Sequence, residues 1–176
     1  MPERSRRRAS RGGAARRPGA PRARATHFRG PRRPAGRPTC DTHRVSLDLT
    51  AFRSALATLR KAVTRSQADP ADDEVRDSVI QRFEYTYELA WKTLKRYLAE
   101  EGISEVSTFS QRDLYREAAA RGLLADPVVW FGYQKARNET SHTYNADKAR
   151  EVHARAVVFC DDASKLLAEL EGRLGD

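Results

Sequence analysis

Apolar residues recur along most of this chain at alternating steps of three and four, the period of a helix with one buried face. Leu49, Phe52, Leu56, Leu59 and Val63 form the first such stripe, which predicts a helix from about Leu47 to near Gln67. Asp69-Pro70 then supplies an N-cap and a proline suited to the first helical position, with Asp72, Asp73 and Glu74 as first-turn acids. A second helix is therefore expected to about Glu101, burying Val79, Ile80, Phe83, Tyr87, Ala90, Trp91, Leu94 and Leu98. Gly102 suits the left-handed residue that closes it.

A shorter helix is expected after Ser107 to Ser110. Ser110 and Asp113 have capping-box spacing, Leu114, Ala118 and Ala119 face inward, and Gly122 ends it. Asp126-Pro127 repeats the cap-and-proline device and opens a fourth helix packed through Val129, Trp130 and Tyr133. The last helix should run from Ala146 to about Leu174 on Ala149, Val152, Ala156, Phe159, Cys160, Ala163, Leu166, Leu167 and Leu170. No stretch alternates with period two. The expected fold is thus all-α, an up-and-down bundle of four main helices with one extra short helix.

Composition divides the chain in two. The formal charge is +9, but residues 1–40 hold thirteen Arg and one acid, a net of +12 that leaves −3 for the remainder. Residues 1–44 are dominated by Arg, Pro, Gly and Ala and contain six of the eight prolines, so a disordered tail is expected there and a helical domain over 45–176. Such a tail offers a basic arm for nucleic acid, but the preferred reading is that it is incidental, its Arg/Ala/Gly/Pro mixture being what GC-rich codons supply, with the true start expected near Val45. The domain itself lacks the positive field of a protein that coats nucleic acid. Apolar runs fall far short of the roughly 18 residues that cross a bilayer, so no membrane association is expected. Cys40 and Cys160 have no paired spacing, which fits a reducing cytoplasm, with Cys160 as a small buried apolar group. The four histidines form no metal-binding grouping, and no metal is expected.

Reactive side chains concentrate in Arg-Asn-Glu-Thr-Ser-His-Thr-Tyr, residues 137–144. Arg137 carries a fork of donors that fits phosphate oxygens, His142 titrates near neutrality, and Tyr144 adds a phenolic hydroxyl. On a continuous helix, Arg137 and His142 would lie roughly 140° apart. The helix is therefore expected to end between them, with Arg137 on its last turn, His142 to Tyr144 in the connection and Asn145 capping the final helix. Arg and His at a helix C-terminus also serve simply to satisfy the dipole and the last carbonyls. The aromatic residues of helices two and four are expected in the core, not in a stacking platform. Glu84 and Glu88 lack the Glu-x-x-His partners of a di-metal site and are expected to make surface or interface contacts, for example to Arg or Lys on a neighbouring helix.

The 137–144 string resembles the Arg-x4-His-x-Tyr signature of the HEPN superfamily, in the form found in nucleotidyltransferase substrate-binding proteins. Arg76-Asp77, Gln81-Arg82-Phe83-Glu84, Thr86-Tyr87-Glu88-Leu89 with Trp91-Lys92, Arg116-Glu117-Ala118 and Gly122-Leu123 resemble that family's pattern in the same order. The likeness spans roughly Leu47 to Leu174. It implies the same helical fold, no cofactor, a homodimer, and a separately encoded minimal nucleotidyltransferase as partner, with RNA or a nucleotide as ligand.

Two functions follow from the resemblance. In the first, the chain binds and presents substrate to the nucleotidyltransferase, the two together forming a toxin–antitoxin pair. In the second, it is a metal-independent endoribonuclease toxin: His142 acts as general acid or base, Arg137 stabilises phosphorane charge, and Asn138 orients the phosphate or the turn. Tyr144 matches the position at which the partner adds AMP, which would silence the site.

Overall fold

The computed structural model describes residues 47–175, with His142 described through its backbone. The expected tail, residues 1–44, lies outside them, as do Cys40 and the domain limits at 45 and 176. The described residues form α1 (Thr50–Ala68), α2 (Asp73–Glu100), a 3-10 turn (Ser104–Thr108), α3 (Gln111–Ala120), α4 (Pro127–Glu139), a second 3-10 turn (Thr140–His142) and α5 (Ala146–Gly175). They contain no strand. The fold is the expected all-α bundle: α1, α2, α4 and α5 pack together and α3 leans on α2 and α4.

Helix ends follow from particular residues. Gly102 and Gly122 take φ of +87° and +75°, a region costly for side chains with a Cβ, and so end α2 and α3. Ser110 Oγ accepts from the Asp113 N–H at 3.2 Å and donates to the Asp113 carboxylate at 2.6 Å. Asp126 Oδ1 accepts from the Val128 N–H at 2.7 Å, with Pro127 opening α4. The start of α2 differs from expectation. Its N-cap is Asp72, whose carboxylate accepts from the Val75 N–H at 3.0 Å; Asp69 instead bonds the Ala71 N–H at 3.3 Å in the preceding turn. Proline's fixed φ suits that turn as well as a first helical position, so the dipeptide alone did not decide between them.

The buried face of α5 comprises the nine residues its periodicity picks out. In α4 the core takes Trp130, Tyr133 and Ala136, while Val129 is 37% exposed, one position off the packing face. In α3, Tyr115 is buried and Ala119 only partly so. Trp91 is likewise half-buried. Cys160 is a buried free thiol, its pKa pushed up by burial. Among the described residues, no helix is long and apolar enough to cross a membrane.

His153 of α5 reaches α1 through a 3.0 Å hydrogen bond with Ser66 Oγ. Burial, assisted by the nearby Arg76 charge, lowers its pKa from 6.5. The folded state therefore disfavours the imidazolium, so this contribution to stability is complete above about pH 6.5 and declines as pH falls through that value toward the folded pKa. His153→Gln should flatten the pH dependence of urea unfolding in that window. At neutral pH, Asp72→Ala should cost about 1 kcal/mol of unfolding free energy, and Asp69→Ala clearly less.

Candidate functional site

The site begins with the start of α4. Once Asp126 and Pro127 fix that end, Trp130, Tyr133 and Ala136 turn inward. The next residue, Arg137, lies at the edge of the buried stripe on the last turn, where its long side chain reaches α2. Its Nε lies 3.1 Å from Glu88 Oε1 and its Nη2 lies 3.6 Å from Glu84 Oε1. The Nε is buried yet not aligned for a hydrogen bond, so the contact is an ion pair. The other Glu88 oxygen lies 3.1 Å from Lys92 Nζ. Glu84, Glu88 and Lys92 are spaced four apart, one ridge of α2, and with Arg137 they make a cluster of alternating charge.

Beneath this cluster, the hydroxyls of Tyr87 and Tyr115 hydrogen-bond to each other in the core. Burial dominates in raising Tyr87 to about 12, against the lowering effect of Tyr115; burial also pushes Tyr115 upward. Both phenols stay protonated at neutral pH and add no charge beneath the cluster.

α4 ends at Glu139, two residues beyond Arg137, so the break falls between Arg137 and His142 as the sequence predicts. Thr140 donates both its N–H and, at 2.8 Å, its hydroxyl to the Arg137 carbonyl, and Thr143 Oγ1 donates to the Thr140 carbonyl at 2.9 Å. These bonds wind the chain into the tighter turn 140–142 and satisfy carbonyls that the end of α4 would leave open. Asn145 Oδ1 accepts from the Asp147 and Lys148 N–H groups at 2.9 and 3.3 Å, which starts α5. Glu139 bridges the break through Lys148 at 3.8 Å.

Arg137 and the exposed Asn138 therefore share the last turn of α4, the backbone of His142 closes the 3-10 turn, and Tyr144 follows at 89% exposure. The structure brings Arg137 onto Glu84 and Glu88. An Arg or Lys of a neighbouring helix is one contact expected for these two carboxylates, and the packing of α4 on α2 makes it Arg137. Among the described residues, no group of three or more His, Cys, Asp or Glu is placed to hold a metal ion.

Residues 47–172 match the model of the family described as nucleotidyltransferase substrate binding protein like. The chain belongs to this family. Within it, the chain is similar to the probable ribonuclease HepT of Haemophilus influenzae, with 36% identity over 129 residues, 70% of this chain and 88% of the relative. Among solved structures it is similar to a Haemophilus influenzae protein described as revealing the fold of a substrate binding domain of a nucleotidyltransferase. That match has a TM-score of 0.66 and 31% identity, over 70% of this chain and 99% of the other. A Thermus thermophilus protein matches with a TM-score of 0.60 and 34% identity, over 68% and 98% of the two chains. The fold of this nucleotidyltransferase substrate-binding family member is thus the expected one.

The half-exposed setting of the Arg137 pairs limits their strength. A double-mutant cycle of Arg137→Ala with Glu88→Gln should give a coupling of about 0.5–1 kcal/mol that shrinks in 1 M salt. A coupling indistinguishable from zero in low salt would show that the contact does not hold the guanidinium.

Proposed function

We propose that this chain is the helical partner subunit of a separately encoded minimal nucleotidyltransferase, acting as a cytoplasmic homodimer in a toxin–antitoxin pair. Its family membership supports this reading, because the family is described by substrate binding for a nucleotidyltransferase. Residues 45–176 are the working domain.

A second reading specifies the activity, and one observation favours it: Arg137 is held at a helix break, directly ahead of the turn that carries His142. A relative 36% identical bears the name probable ribonuclease. In this reading the site cleaves RNA without metal. The 2′-hydroxyl attacks the adjacent phosphorus, the 2′-oxygen–phosphorus bond forms and the bond to the 5′-oxygen breaks, leaving a 2′,3′-cyclic phosphate and a 5′-hydroxyl. His142 of one copy takes the 2′-hydroxyl proton and His142 of a second copy protonates the leaving oxygen, which is why a dimer suits the chemistry. Arg137 holds the growing negative charge through its Nη groups while Glu88 keeps its Nε, and Asn138 orients the phosphate.

Tyr144 is the proposed point of control. Its exposure suits attack of its oxygen on the α-phosphate of ATP in the partner's active site, releasing pyrophosphate and losing the phenolic proton. The added AMP would bring a negative charge and bulk beside Arg137 and exclude RNA.

Expression of the chain alone should arrest growth, and His142→Ala should relieve it; Arg137→Ala should lower cleavage by about 10²–10³-fold. Equal growth of the wild type and His142→Ala would favour the binding role without ribonuclease activity. Co-expression with the nucleotidyltransferase should yield a Tyr144 peptide heavier by AMP in mass spectrometry, and an unmodified peptide would contradict the control step.

A further inference from the structure

A cavity of about 690 Å³ opens between the start of α1, the second half of α2 and the 3-10 turn at 104–108. Its walls include Leu89, Trp91 and Ile103, and its rim carries Lys92, Lys95 and Arg96. The size and apolar lining are those of a small-ligand site. Two features select the ligand. The half-buried Trp91 side chain is part of the lining, so the apolar wall includes an aromatic group, although its indole N–H is itself buried and is not presented to the cavity. The rim holds three cations against one acid, Asp48, whose carboxylate already accepts from the Thr50 N–H at 2.8 Å. A flat apolar ring joined to a phosphate fits both.

The cavity shares one residue, Lys92, with the charged cluster described above. Lys92 Nζ lies 5.6 Å from the centre of the Trp91 ring and 3.1 Å from Glu88 Oε2, and the other oxygen of Glu88 holds Arg137. Glu88, Lys92 and Arg96 fall at four-residue steps along α2, so the ridge runs roughly 12 Å from the Arg137 contact to the cavity rim. A nucleic-acid strand laid along that ridge would meet cations at the spacing of a few nucleotides.

We propose that this cavity is a base-binding subsite for single-stranded RNA, taking a nucleotide a short way along the strand from the phosphate at Arg137. The inference rests on the ribonuclease reading, which puts the scissile phosphate there. The base enters against the Trp91 side chain, while the flanking phosphates lie over Lys95 and Arg96. Duplex RNA is excluded, because its bases are stacked inside the helix and cannot enter a pocket.

The test uses the full chain and a labelled single-stranded 2′-O-methyl oligonucleotide, in which the attacking hydroxyl is blocked. Binding should quench tryptophan emission in the wild type and not in Trp91→Phe, because the other tryptophan, Trp130, is buried. Lys95→Gln combined with Arg96→Gln should weaken binding about ten-fold and make the slope of log affinity against log salt shallower by about 1.4. Thermal melts check that each variant folds. A folded double variant with unchanged affinity and slope overturns the inference, as does AMP competing as tightly as the oligonucleotide, which would make this a free-nucleotide pocket. Cleavage of unmodified RNA, assayed in parallel, separates the two claims. Intact cleavage with no quenching removes the subsite alone, whereas quenching without cleavage keeps the binding site and removes the ribonuclease reading.

Discussion

The contact on which the site's geometry depends is the seating of the Phe159 ring among aromatic residues from two other helices. Its centroid lies 5.2 Å from those of Phe83 and Tyr133, 5.8 Å from Trp130 and 6.0 Å from Tyr87. Several of these pairs meet edge to face, the arrangement that aromatic quadrupoles favour. α2, α4 and α5 are thereby fixed in rotation as well as position. With Phe83 and Tyr87 turned inward, Glu84 and Glu88, each one residue further on, are carried to the border of the core. Trp130 and Tyr133 set α4 in the same way, and Arg137 comes to lie opposite those two carboxylates.

The ion pairs at Arg137 contribute little to stability at this exposure. Their consequence lies in orientation. Guanidinium held through Nε by Glu88 has lost much of the rotamer freedom it would otherwise give up on meeting a phosphate, and its Nη groups retain the forked geometry that suits one. Glu84, at 3.6 Å, is the more distant of the two carboxylates and, on the proposed ribonuclease reading, the contact an incoming phosphate displaces. The break after Arg137, secured by Thr140 and Thr143, then lets the following residues leave the helix line. A straight helix would direct positions 137 and 142 to different faces. Local hydrogen bonding and distant aromatic packing thus converge on one stretch of chain.

Most of the fold could be read from the sequence because a helical bundle writes its core as a period. The α5 stripe from Ala149 to Leu170 is complete, and the caps at Ser110, Asp126 and Asn145 act where their spacing places them. The differences arise where a decision depends on residues far along the chain. Tyr115 is buried because its hydroxyl finds Tyr87, 28 positions away, and no local pattern reveals that partner. Asp69 and Asp72 are both good caps flanking one proline, and the chain uses the second. The short 3-10 turn before α3 has no periodicity to announce it. For the site, the motif and the break were legible. The Glu88 bridge from Arg137 to Lys92 was not, since it joins α4 to a ridge of α2 almost fifty residues earlier.

The most direct test is a crystal structure of the full chain with the uncleavable 2′-O-methyl oligonucleotide. It should show a dimer in which one backbone phosphate accepts hydrogen bonds from the Nη groups of Arg137, with a His142 imidazole from either copy at the same phosphate. An Arg137 still paired with both Glu84 and Glu88, and a His142 facing a separate region in every copy, would contradict the account.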